Sequence, residues 1–271
     1  YIVASESCVM DLVEAEFIRE IEPGELILIN QCGVKSFYPF QKTSTKQCVF
    51  EHIYFSRPDS YLFGHSVYSV RKLMGKALAL EKPVEADVVV PVPDSGVISA
   101  MGYSEEAKIP FQMGLIRNHY VGRTFIEPQS QIRNFGVKIK LNAVKPVIEG
   151  KRVIIIDDSI VRGTTSKKIV RMLREVGALE VHVRISSPPT THSCFYGIDT
   201  PTKSELIASN MDLDETCKYL GADSIQYLTI EKMLDVFGEQ REDFCTACFD
   251  GCYPINVKGL GEDTKQLGLF S

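Results

Sequence analysis

VIIIDDSIVRGTTS (Val153 to Ser166) sets four apolar residues ahead of two adjacent carboxylates and a hydroxyl-rich turn. A short apolar run closed by a polar turn reads as a strand buried on both faces. Gly163 lets the backbone turn tightly, and Thr164, Thr165 and Ser166 then open a helix. The free N–H groups and the dipole of a helix start attract an anion, and the hydroxyls add donors. Those parts suit a phosphate. Asp157 and Asp158 beside it suit sugar hydroxyls or a hard cation such as magnesium. A Walker loop is excluded, because no lysine follows the glycine in the required frame. Two acids at a buried strand end carry a desolvation cost unless something partners them, which argues against a plain surface loop.

Outward from this stretch the chain alternates. ADVVVPVPDSG (Ala86 to Gly96) is a buried-type strand ending in a polar turn, GVISAMGYSEEA (Gly96 to Ala107) a helix and IPFQMGLI (Ile109 to Ile116) another strand. The helix after Thr164 turns Ile169, Val170, Leu173 and Val176 inward and closes at Gly177, and EVHVRISS (Glu180 to Ser187) is a further strand. Strands alternating with helices make a parallel sheet with helices on both faces, and ligands bind beyond the carboxyl ends of its strands. SVYSVRKLMGKALALEK (Ser66 to Lys82) places Val67, Val70, Leu73, Met74, Ala77 and Leu78 on one helical face. The capping box TKSE (Thr202 to Glu205) is expected to start a helix. Residues up to about Thr45 read as short strands joined by turns, with a Pro-Gly turn ahead of an apolar strand in REIEPGELILIN (Arg19 to Asn30). The polar segment from Arg117 to about Lys145 lacks a period and is too long for an ordinary connection, so a lid is expected there. It carries Arg117, Arg123, Arg133, Lys138 and Lys140.

A chain of 271 residues holds one large domain or two small ones, and 44% apolar with 24% charged residues is ordinary for a globular protein. Net charge is −5 and no long basic run occurs, so nucleic acid is not an expected partner. No apolar stretch approaches the ~20 residues of a membrane span. The N-terminus has no basic start and is interrupted by acids, unlike a signal peptide, and Tyr1 in place of an initiator Met points to a piece of something longer. Eight cysteines in a chain of this size do not make a secreted disulfide scaffold. CTACFDGC gives Cys245, Cys248 and Cys252, a metal-type spacing for which zinc and iron–sulfur are both open.

Hydrophobics, two acids, Ser and then Gly-Thr-Thr resemble the phosphoribosylpyrophosphate (PRPP) signature of type I phosphoribosyltransferases. YVGRTFIEPQSQIRNFGVKIKLN (Tyr120 to Asn142), EHIYFSRPDS (Glu51 to Ser60) and SPPTTHSCFYGIDT (Ser187 to Thr200) resemble the amidophosphoribosyltransferase family, in order and over nearly the whole chain. The resemblance implies an α/β, type I phosphoribosyltransferase fold, a parallel sheet flanked by helices with a flexible lid, preceded by the β-rich end of an Ntn-hydrolase glutaminase domain. It divides the chain into that glutaminase end (1–45), the phosphoribosyltransferase domain (46–235) and a C-terminal cluster-binding tail (236–271).

The reaction implied is the first committed step of de novo purine biosynthesis. Ammonia, drawn from glutamine in the complete enzyme, displaces pyrophosphate from C1 of PRPP and gives 5-phosphoribosylamine. By resemblance, Asp157 and Asp158 hold the ribose hydroxyls and help place magnesium, which Ser95 in PVPDSG also contacts, with Asp94 a neighbour. Ser159, Arg162, Gly163, Thr164 and Thr165 belong to the loop that wraps the 5′-phosphate, and Arg123 and Lys140 reach the pyrophosphate when the lid closes. One subgroup of the family holds a [4Fe–4S] cluster, whose ligands map to Cys48, Cys194, Cys245 and Cys248, with Cys252 a bystander. Cys8, Cys32 and Cys217 read as ordinary thiols.

The resemblance further implies AMP and GMP as inhibitors, a homo-oligomer (a tetramer), and the cytoplasm of a bacterium or the plastid stroma of a plant as location. The glutaminase nucleophile is absent, so this chain is expected to use free ammonia. A PRPP-sensing regulator would not need Arg123 and Lys140 on a lid, and a nucleobase transferase would have no use for the cysteine set.

Overall fold

The computed structural model describes residues 1–118 and 141–255. Its centre is a four-stranded parallel sheet built from β1 (Val88–Pro91), β2 (Arg152–Asp157), β3 (Glu180–Ile185) and β4 (Ser224–Tyr227), in the order β4-β3-β2-β1. Side chains alternate along each strand, so Val153 and Ile155 enter one core while Ile154 and Ile156 enter the other. The unbroken apolar run is what a strand covered on both sides requires. Fully burying each such side chain contributes roughly 1.5–3 kcal/mol.

Four main helices cover the sheet: α1 (Val67–Glu81), α2 (Val97–Ala107), α3 (Thr164–Glu175) and α4 (Leu213–Leu220). Ile169, Val170 and Leu173 of α3 and Leu220 of α4 pack on the face of Val153 and Ile155. Val70, Met74 and Leu78 of α1 and Ala100 and Tyr103 of α2 pack on the other. This sandwich of helix, parallel sheet and helix is the type I phosphoribosyltransferase architecture expected. At the C-terminal edge the segments that leave β1 and β3 stay tied to β2. The Val92 N–H donates to the Ile156 carbonyl at 2.8 Å and the Ser186 N–H to the Asp157 carbonyl at 3.0 Å.

Three expectations are corrected. Leu73 is 46% exposed, and Arg71 and Gly75 take its place on the buried face of α1. The cause is the close crossing with α2, which rolls the helix about its axis. The strand expected over Ile109–Ile116 is broken. Phe111 alone bridges Val89, and pairing resumes at Leu115–Arg117, antiparallel to Leu141–Ala143. Pro110 has no N–H to donate, and Gly114 lies so close to Val90 and Ile148 that a Cβ would meet them at 2.7 and 2.8 Å. In the first segment one hairpin forms, Leu26–Asn30 with Gly33–Phe37, but Cys8–Leu12 is a short helix. Its approach is set by Glu6 and Ser7, whose side chains accept from the Arg57 N–H at 2.6 Å and the Tyr61 N–H at 2.7 Å. The capping box at Thr202 and Glu205 forms as expected and opens a 3₁₀ turn, Lys203–Glu205, followed by the helical turn Ile207–Asn210.

His52 is fully buried in a cage of rings from Phe63, His65, Phe237 and Phe244. Among the described residues neither ring nitrogen has a hydrogen-bond partner. Burial first, then His65 and Arg71, hold its imidazole down to about 4. An unfolded imidazole binds its proton near pH 6.5. Between those values the unfolded chain therefore carries the extra proton, so this contribution to stability is complete above pH 6.5 and is lost as pH falls towards 4. Urea titration is expected to show stability about 2–3 kcal/mol lower at pH 4.5 than at pH 7 from this residue, and His52→Phe is expected to remove that difference. Equal pH dependence in the two proteins would refute it.

Candidate active site

The two carboxylates at the end of β2 are held differently. Asp158 is buried and accepts from the Ser95 hydroxyl at 2.7 Å and the Ser159 hydroxyl at 2.8 Å, one on each oxygen. Asp157 accepts the Asp158 N–H at 3.0 Å. Its seclusion from bulk water, then the neighbouring Asp158 charge, raises the Asp157 carboxyl well above the usual range. Among the described residues neither acid is placed in an ion pair. A pair of acids in this position favours a cation between or beside them.

The turn that brings Ser95 here depends on Gly96. A Cβ there would stand 2.4 Å from the Ile156 carbonyl oxygen, so only glycine lets the turn after β1 lie against the end of β2. Asp94 points elsewhere and pairs with Arg117. Gly163 precedes α3 with φ +73°, the left-handed region that glycine tolerates. The twelve-residue helix behind it turns its free N–H groups towards the loop from Ser159 to Gly163.

These parts open onto one cavity of about 1180 Å³. Ser95, Asp157, Asp158 and every residue from Ser159 to Ser166 lie on its wall, and Asp94 does not. Arg123 and Lys140 lie outside the described residues. Sequence reasoning missed a second part of the wall, Glu51, Tyr54 and Phe55 from the π-helical turn Glu51–Phe55, together with Lys46 and Tyr196. Nothing in their spacing marked them, since they come from distant loops. It also missed Glu205, which pairs with Arg162 at 3.0 Å.

Cys48, Cys194, Cys245 and Cys248 share the cavity wall, and Cys252 is exposed and off it. Parallel pairing of Gln47–Cys48 with Phe244–Cys245 sets Cys245 opposite Cys48. The Cys194 sulfur accepts the Tyr196 N–H at 3.3 Å. Burial pushes the Cys48 thiol up to about 11. Cys248 is raised by burial and then by Cys48, Cys245 and Cys194. Among the described residues no group of three or more His, Cys, Asp or Glu side chains is arranged to hold a metal ion. No described helix is long and apolar enough to cross a membrane.

Known proteins resemble this chain over most of its length. The phosphoribosyl transferase domain family matches residues 65–186. A chloroplastic amidophosphoribosyltransferase of Glycine max is 53% identical over 268 residues, 99% of this chain and 47% of that protein. The amidophosphoribosyltransferase of Bacillus subtilis is 53% identical over 261 residues, 95% of this chain and 55% of that protein. A solved structure of B. subtilis glutamine PRPP amidotransferase complexed with ADP and GMP superposes with a TM-score of 0.86 at 52% identity, covering 93% of this chain and 56% of that one. The chain thus spans about half the length of these relatives. Over the half that it spans, the chain belongs to the amidophosphoribosyltransferase family and carries its phosphoribosyl transferase domain.

Proposed function

We propose that this chain transfers ammonia to C1 of PRPP, releasing pyrophosphate and giving 5-phosphoribosylamine, the first committed step of purine synthesis. The observation that carries the reading is the meeting of Asp157, Asp158 and the Ser159–Thr165 loop on one cavity wall, in a chain about half identical to amidophosphoribosyltransferases. Residues 1–45 are read as the end of a glutaminase domain, 46–235 as the transferase and 236–271 as a cluster-binding tail. With a complete glutaminase half, glutamine supplies the ammonia. AMP and GMP as inhibitors, assembly into a homo-oligomer, and a bacterial cytoplasm or plastid stroma follow from the same family reading.

Each residue has a stated task in this reading. The N–H groups and hydroxyls of Ser159 to Thr165, with Gly163 giving close approach, bind the 5′-phosphate. Asp157 and Asp158 accept from the ribose hydroxyls, which orients C1 towards the incoming ammonia. As the bond to pyrophosphate breaks, positive charge grows on the sugar and negative charge on the leaving group. The paired acids face the first, and Arg123 and Lys140 of the lid neutralise the second. Ammonia is already a neutral nucleophile, so no strong general base is needed. Asp157, Asp158 and Ser95 fit magnesium, which takes one or two carboxylates together with substrate phosphates and water. When bound it supplies Lewis-acid neutralisation of pyrophosphate. Ammonia-dependent pyrophosphate release from magnesium PRPP tests the reading, and a chain that binds no PRPP would sink it.

Cys48, Cys194, Cys245 and Cys248 fit a [4Fe–4S] cluster, since four thiols share one secluded wall and a backbone N–H already points at the Cys194 sulfur. The cluster, when bound, ties the tail to the start of the transferase domain. Anaerobically prepared protein is expected to contain iron and sulfide with visible charge-transfer absorption. Cys248→Ser is expected to lose both, and Cys252→Ser to keep both. Retention of iron by Cys248→Ser would remove it from the ligand set.

A further inference from the structure

Glu205 uses its two carboxylate oxygens for different tasks. Oε2 accepts from the Thr202 N–H at 3.2 Å and the Thr202 hydroxyl at 3.1 Å, which closes the capping box. Oε1 accepts from Arg162 Nε at 3.0 Å. Arg162 lies in the loop joining β2 to α3, and it forms part of the cavity wall. The same region grips that loop twice more. The Ile207 N–H donates to the Val161 carbonyl at 2.9 Å. Ile207 and Tyr219 press on Gly163, where a Cβ would stand 2.7 Å from Ile207 Cδ1 and 3.3 Å from Tyr219 Cε1. Three consecutive loop residues, Val161, Arg162 and Gly163, are therefore each held from outside, and the N–H groups of the anion-binding helix start come directly after them.

Both partners of the Arg162–Glu205 pair are about half exposed, and such a pair adds little to global stability. Its consequence lies in where it holds Arg162. Released, the long side chain would sample many rotamers at the cavity edge, and part of the free energy of ligand binding would go into ordering the loop. We propose that Glu205 is a positioning residue for the phosphate loop: through Arg162 it keeps the loop in the shape that receives a sugar 5′-phosphate. This rests on the PRPP reading above.

Glu205→Gln separates positioning from capping. Gln serves as well as Glu at the third position of a capping box, but it offers Arg162 no charge. With magnesium PRPP as probe and ammonia as acceptor, Glu205→Gln in the full chain is expected to raise KM for PRPP roughly fivefold. Its kcat and thermal midpoint are expected to match the parent's. Arg162→Gln and the double variant Arg162→Gln/Glu205→Gln are expected to share one KM, because Glu205 acts only through Arg162. An unchanged KM in Glu205→Gln, a midpoint that falls in step with the rise in KM, or additive losses in the double variant each overturn the proposal. A parent chain that does not bind PRPP removes the PRPP reading itself, and the parent's own titration tells that failure from the others.

Discussion

Replacing both Asp157 and Asp158 with Asn is expected to lower ammonia-dependent pyrophosphate release by at least about a thousandfold, while leaving the chain within about 1 kcal/mol of its original stability. The two effects separate because, on the proposed reading, the acids serve the ligand more than the fold. Seclusion from bulk water, and then repulsion from the neighbouring Asp158 charge, hold Asp157 towards its neutral form. The Asp157→Asn change removes that repulsion. The Asp158→Asn change leaves one oxygen acceptor for Ser95 or Ser159 in place of two, a loss of about one hydrogen bond. Neither change touches the backbone ties from Val92 and Ser186 that fix the end of β2. On the proposed reading, what is lost is the negative charge facing the sugar and the cation. Activity measured beside the thermal midpoint tests both halves. Retained release would sink the assignment of these residues, and a midpoint that collapses with activity would show that the loss was one of folding.

Gly102→Ala is expected to cost about 3 kcal/mol or more, and Gly75→Ala a similar amount, at or above the top of the usual range for overpacking. Helix propensity alone argues the opposite sign, since alanine in a helix interior is favoured over glycine by about 1 kcal/mol. Packing decides. A Cβ at Gly75 would stand 1.9 Å from the Ser99 carbonyl oxygen, and one at Gly102 would stand 2.0 Å from the Lys72 carbonyl oxygen. Each glycine of one helix thus faces the backbone of the other. The obstacle is a peptide group rather than the end of a flexible side chain, so relief requires α1 and α2 to separate. Separation would pull Val70, Met74, Ala100 and Tyr103 off the core they share with Ile154 and Ile156. Urea titration of each variant checks this. A gain in stability would mean that the helices do not cross so closely.

Much of the site was legible because it is local. A buried strand, two acids, a glycine turn and a helix start occupy fourteen consecutive residues, and each is dictated by periodicity, backbone freedom or the free N–H groups of a helix end. The turn at Ser95 and Gly96 was legible as a turn, though not as the donor that orients Asp158. The cysteines could be assigned together only by family resemblance, because Cys48 and Cys245 meet through strand pairing between segments far apart in the sequence.

From the sequence alone came the parallel sheet, its two covered faces, the glycine turn and helix start after β2 and the capping box at Thr202. Each is marked by a pattern local in the sequence, an apolar run, an alternation of strands with helices, a glycine beside hydroxyls or a capping box, and needs no distant partner to be read. Only the tertiary structure decided which way α1 rolls, so that Leu73 faces outward and Gly75 inward. It also decided that Phe111 and Leu115 do not belong to one strand, and that Glu205 caps its own turn with one oxygen while holding Arg162 with the other. Each of these depends on which distant backbone or side chain comes to lie alongside. Periodicity and propensity carry no record of that partner, and close packing leaves it no second choice.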